Sequence, residues 1–117
     1  MELATSSFIK TAIQLKVQEI EKYMETSTGV KLFIKISKNH INRFTPKNDI
    51  NLLYDTLVVF LHATSDVISN LNPENKNYQL LSAFHDDYIF PRYQAMREII
   101  SMKKSYFELY KEEIKED

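Results

Sequence analysis

LYDTLVVFLHATSDVISNL, residues 53–71, decides the fold. Leu53, Leu57, Phe60, Thr64, Val67 and Leu71 recur every three or four positions, the spacing that brings side chains onto one face of an α-helix. Tyr54, Val58, Leu61 and Ile68 form a neighbouring apolar face, so this helix is expected to sit centrally and pack against several partners. The chain has one glycine in 117 residues, which leaves little to form the positive-φ turns of sheets and phosphate-binding loops. The class expected is all-α.

The same spacing extends outward from the central stretch. Upstream, Ser6 or Ser7 is expected to cap a first helix carrying Ile9, Ile13, Val17, Ile20 and Met24. Residues 26–29 read as its stop, with Gly29 the natural left-handed residue. In residues 30–44, Leu32, Ile34 and Ile36 alternate with Phe33 and Lys35 as in a strand. Val30, Phe33, Ser37, Ile41 and Phe44 also form a helical stripe, and a lone strand would have no partner, so a helix is expected. Pro46, with Thr45 or Asn48 as cap, opens the central helix, which runs to about Ser69. Residues 70–77, containing Pro73, read as a loop.

Downstream, residues 78–90 read as a fourth helix, and Pro91 either kinks it or opens a fifth. From Tyr93 onward, Met96, Ile100, Lys103, Phe107, Tyr110 and Ile114 repeat at alternating spacings of four and three. Such a seam needs a partner along its length, which makes Met96, Ile100, Phe107, Tyr110 and Ile114 the expected interface of a homodimer. The whole is read as one domain over 1–117: a bundle of about five helices with a long C-terminal helix.

Composition narrows the function. The 44% hydrophobic and 26% charged content is that of an ordinary globular protein, and no uninterrupted apolar run approaches a bilayer span. No basic, apolar and small-residue sequence opens the chain as in a signal peptide, so a cytoplasmic location away from membranes is expected. Fifteen basic residues against sixteen acidic ones argue against a nucleic-acid partner. Local excesses are a basic stripe, Lys31, Lys35 and Lys38, and an acidic C-terminus, Glu112, Glu113, Glu116 and Asp117.

Catalytic signatures are missing. The chain has no cysteine, no phosphate loop and no nucleophile elbow, so no enzyme is expected. Asp86 and Asp87 are adjacent and point in different directions on a helix, a poor arrangement for paired acid and base work. His40, His62 and His85 have no mutual spacing of three or four, and no metal is expected. A haem held by His62 or His85 is the remaining cofactor reading. Arginine is scarce: Arg43, Arg92 and Arg97 are the only three among fifteen basic residues. Each reads first as a surface charge. A guanidinium fork at the end of an apolar tunnel would also hold an amphipathic acid by its head. Seven phenylalanines and seven tyrosines without tryptophan supply the rings of a core expected to pack imperfectly and leave a cavity.

The helix order, the proline-interrupted penultimate segment, and Leu81-Ser-Ala-Phe-His-Asp-Asp87 followed by Tyr93 and a tyrosine-rich helix to Glu116 resemble the non-haem globin sensor domains. These precede the output regions of sporulation sensor kinases and stressosome proteins, and also occur as free-standing inhibitors of sporulation. The resemblance implies a dimeric globin-like fold without haem, enclosing a hydrophobic tunnel for a fatty acid, sometimes with a bound anion. It implies Arg43, or else Arg92, on the carboxylate, with Phe33, Phe60, His62 and Tyr93 beside the ligand. A free-standing copy would inhibit sporulation by titrating the signal or a sensor histidine kinase. Two other readings stay open: a helical interaction inhibitor or immunity protein with a solid core and no ligand, and a haem globin.

Overall fold

The computed structural model describes residues 2–45 and 47–102, with side chains from Ser7 onward, and its described residues contain helices and turns but no strand. The helices are α1 (Glu2–Tyr23), α2 (Ser27–Asn42), α3 (Ile50–Ser69) and α4 (Lys76–Ala83). α4 continues without a break through a π turn, Phe84–Ile89, into helical residues 90–102.

Local chemistry moves several boundaries from their expected places. α1 starts at Glu2, ahead of Ser6 and Ser7, because Glu2, Leu3 and Ala4 are strong helix formers and carry the helix upstream. Gly29 is not left-handed; none of the described residues has positive φ. It lies in the first turn of α2, where its N–H donates to Thr26 Oγ1 at 2.9 Å. A Cβ at Gly29 would overlap the carbonyl oxygen of Tyr23, so glycine serves a close approach between α1 and α2.

α2 is a helix despite its alternating hydrophobics, and the helical stripe explains why. Val30, Phe33, Ser37 and Ile41 are buried, whereas Leu32 and Ile36 are exposed. Neither Thr45 nor Asn48 caps α3, which begins at Ile50 with Asp49 at its N-cap; in the preceding turn Thr45 Oγ1 accepts from the Asn48 amide at 3.3 Å, and Asp49 Oδ2 accepts from the Thr45 amide at 3.2 Å. Pro46 lies outside the described residues. Asn75 Oδ1 accepts from the Asn77 amide at 2.8 Å and starts α4 two residues before Tyr78. The Asn77 side-chain amide donates to the Met24 carbonyl at 3.0 Å, tying the end of α1 to the start of α4.

Pro91 does not open a new helix, since the helical run continues through it. Proline lacks an N–H, and its ring crowds the carbonyl four residues back. The π turn lies just ahead of it, with the Phe90 amide bonded to the His85 carbonyl, five residues earlier. The wider turn takes up that conflict, so of the two expected outcomes the fifth helix is not formed and residues 76–102 make one run.

α3 is central, touching α1, α2, α4 and the π turn, with its longest packing along α1. Its expected core face is buried from Leu53 to Val67, with Leu71 half-buried. It is the one described helix long and apolar enough to cross a membrane, and about a third of that apolar stretch is buried against the other helices. At the centre, Phe33 of α2, Phe60 of α3 and Phe84 of the π turn pack pairwise with ring centroids 6.2–6.3 Å apart. Tyr23 of α1 adds a fourth ring 5.5 Å from Phe33.

Phe33→Ala should therefore cost about 3–5 kcal/mol, the range for emptying a phenylalanine site in a core. Leu32→Ala, one residue away on the exposed side, should stay within about 0.5 kcal/mol. Urea unfolding of both variants checks the contrast.

Candidate functional site

α2 is the element around which the surface clefts form, because its flanks diverge from the buried stripe in opposite directions. One flank, bearing Ile36, His40 and Arg43, turns toward α1. The other, bearing Lys31, Ile34 and Lys38, turns toward α4.

The α1-side cleft has a volume of about 450 Å³, within the range of small-molecule sites. Phe60 forms its floor, Ile36 an apolar wall, and Arg43 and Lys16 are the cations of its rim, with His40 and Glu19 beside them. Lys16 is already committed, with Nζ 2.7 Å from Glu19 Oε2 and 4.8 Å from the centre of the Phe60 ring. Arg43 has no carboxylate partner among the described residues, and it is exposed one residue beyond the end of α2. His40 packs edge-on against Phe44 at 5.4 Å. The cleft thus offers a free guanidinium fork beside two apolar side chains, a combination suited to a carboxylate with a hydrocarbon body.

Arg92 belongs to a different, smaller cleft of about 190 Å³, lined by Ile41, Phe44, Leu53 and Met96. Its guanidinium carbon lies 3.6 Å from the centre of the Tyr88 ring, and Nη1 donates to the Tyr88 carbonyl at 3.1 Å. Arg92 is therefore engaged by its own helix. The two candidate arginines do not converge on one ligand position.

The remaining expected site residues are dispersed. Phe33 is buried in the ring cluster, and Phe60 is shared between that cluster and the floor of the Arg43 cleft. His62 is exposed on α3. Tyr93 is half-buried and stacks on Tyr54 at 5.7 Å. His85 Nδ1 lies 2.7 Å from Asp86 Oδ1, and no group of three metal-ligating side chains occurs among the described residues. Of the expected dimer seam, Met96 is buried in the chain's own core and Ile100 is half-buried; Phe107, Tyr110 and Ile114 lie outside the described residues. Sequence reading missed Lys16, Ile36 and His40. Ile36, His40 and Arg43 follow one another at helical spacings of four and three, a signal that was present.

The Tyr54–Tyr93 pair joins α3 to the long helical run. Burial, and then the adjoining Tyr93 phenol, hold the Tyr54 phenol above its ordinary value of 10.0. Compared with known proteins, the chain matches no family model, no curated protein and no solved structure.

A raised phenol pKa favours the fold while the group is neutral. That contribution is complete below the unfolded-state pKa and is lost as pH rises through the folded-state value. Between about pH 9 and about pH 11.5, wild-type protein should lose more stability than Tyr54→Phe, read as the fall in urea midpoint.

Proposed function

We propose that this chain is a non-enzymatic regulatory domain that binds an apolar carboxylic acid, a fatty acid or a close analogue, in the cleft between α1 and α2. One observation carries the reading: a guanidinium without an ion-pair partner among the described residues, Arg43, shares a cleft of about 450 Å³ with Ile36 and Phe60. Arg43 holds the carboxylate, and the hydrocarbon body lies over Ile36 toward the Phe60 ring. A globin-like helix arrangement and a homodimer belong to the same reading. So does inhibition of sporulation by titrating the acid or a sensor histidine kinase.

The position of the ligand differs from the tunnel implied by the resemblance. Phe33, Phe60 and Phe84 occupy the centre of the bundle, so the acid is placed at the edge of the core. The same ring-filled centre favours a second reading, a helical protein-interaction inhibitor that needs no ligand.

Native mass spectrometry of the purified chain, followed by denaturation and organic extraction, separates the two. The acid-binding reading expects a released carboxylic acid, at least tenfold weaker binding in Arg43→Gln, a loss of about 1.4 kcal/mol or more, and near-wild-type binding in Arg92→Gln. Protein that carries no acid and takes none up on titration would leave the interaction inhibitor as the reading.

A further inference from the structure

The α4-side flank of α2 carries a second groove, of about 380 Å³, that the acid-binding cleft does not use. Its floor is apolar, formed by Ile34, Leu80 and Phe84, and Lys31 and Lys38 stand along its α2 edge. Lys35 lies between them on the exposed side of the same flank. None of the three lysines has a carboxylate partner among the described residues. Like charges spaced three and four apart on a helix repel, so an anionic cover would relieve a standing cost. Lys38 is held 5.0 Å from the centre of the Tyr88 ring, which fixes the far end of this edge. Asp87 is the acidic side chain on the opposite edge. The groove therefore asks for an occupant with an apolar stripe, an excess of carboxylates and an occasional cation.

Residues 106–117 of this chain, outside the described residues, have that composition: five carboxylate side chains against two lysines. Phe107, Tyr110 and Ile114 recur at helical spacing, with Glu108, Glu112, Glu113 and Glu116 between and around them. The described chain ends at Met102, 18 residues beyond Phe84 on one helical run and so roughly 27 Å away at 1.5 Å per residue. The described end of the chain thus lies far from the groove of its own copy.

We infer that the groove between α2 and α4 receives the acidic segment 106–117 of a second copy, and that the exchange is reciprocal, closing a two-fold dimer. This rests on the homodimer of the proposed function and gives its seam a destination. Phe107, Tyr110 and Ile114 lie over Ile34, Leu80 and Phe84 of the second copy instead of meeting their own counterparts. The interspersed glutamates cover Lys31, Lys35 and Lys38, and Lys111 or Lys115 answers Asp87.

The test measures molar mass by light scattering across a concentration series of the full chain, with circular dichroism verifying that each variant is helical. Wild type is expected as a dimer that weakens as salt rises from about 50 mM to about 500 mM. K31E/K38E and E112K/E113K/E116K are each expected to weaken the dimer at least tenfold, and combining them should restore it. K31Q/K38Q, a milder change, should weaken it in the same direction if the charge reversals do not fold. A dimer indifferent to the lysine changes but lost in F107E/Y110E would overturn groove docking and leave the homodimer itself standing. A wild-type chain that stays monomeric would overturn both.

Discussion

Three phenylalanine rings hold this bundle together. Phe33, Phe60 and Phe84 come from α2, α3 and the π turn, elements far apart in sequence, and each ring meets both of the others. Two of the three contacts are edge-to-face, at 87° and 85°, where the positive rim of one ring meets the negative face of another. Because one ring comes from each element, the triangle fixes the rotation of α2, α3 and the π turn about their axes as well as their positions. Once α2 is fixed with Phe33 inward, Ile36, His40 and Arg43 fall on one flank and Lys31 and Lys38 on the other. Both clefts are consequences of that rotation.

The triangle also explains why interior space is scarce where rings are plentiful. Edge-to-face rings fill a helical interior efficiently, and Tyr23 and Tyr88 extend the packing at either side. Of the polar side chains that enter the core, Asn77 leaves its Oδ1 without a hydrogen-bond partner among the described residues, while others bond to nearby backbone. The buried Thr64 hydroxyl, for example, donates to the Phe60 carbonyl at 2.7 Å, one turn back on its own helix. Open clefts are left at the margins, as where Lys16 of α1 reaches over the Phe60 ring of α3. Phe60 shows both roles, with one part of its ring in the core and another under Lys16.

Much of this was legible in the sequence. The period of α3 marked Leu53, Leu57, Phe60, Thr64 and Val67 of its buried face but not Ala63, and the stripe from Val30 to Ile41 outweighed the strand-like alternation of Leu32, Ile34 and Ile36. What was not legible depended on contacts between segments. Gly29 looked like a terminator because glycine is usually spared for its torsional freedom; here it is small for the sake of the Tyr23 carbonyl. Pro91 looked like a boundary because the rule for proline assumes an α-helical turn before it. The arginines could be singled out by rarity, but only folding shows that Arg92 lies against Tyr88 while Arg43 stands free of carboxylates among the described residues. Lys16 could not be assigned to the Arg43 cleft at all, since it arrives from another helix.

The π turn leaves a trace in the spacing of the buried residues along the last helical run. From Asn77 the inward positions step to Leu81, Phe84, Ile89, Tyr93 and Met96, intervals of four, three, five, four and three. The interval of five is a skipped beat. Each residue of an α-helix turns the next by about 100°, so closing that skip would rotate everything beyond Ile89 by roughly that angle. Met96 would swing away from Leu53, and Tyr93 away from Tyr54. The turn acts as a phase corrector: it lets a single rod, longer than the bundle needs for its own core, keep one continuous inner edge across a proline.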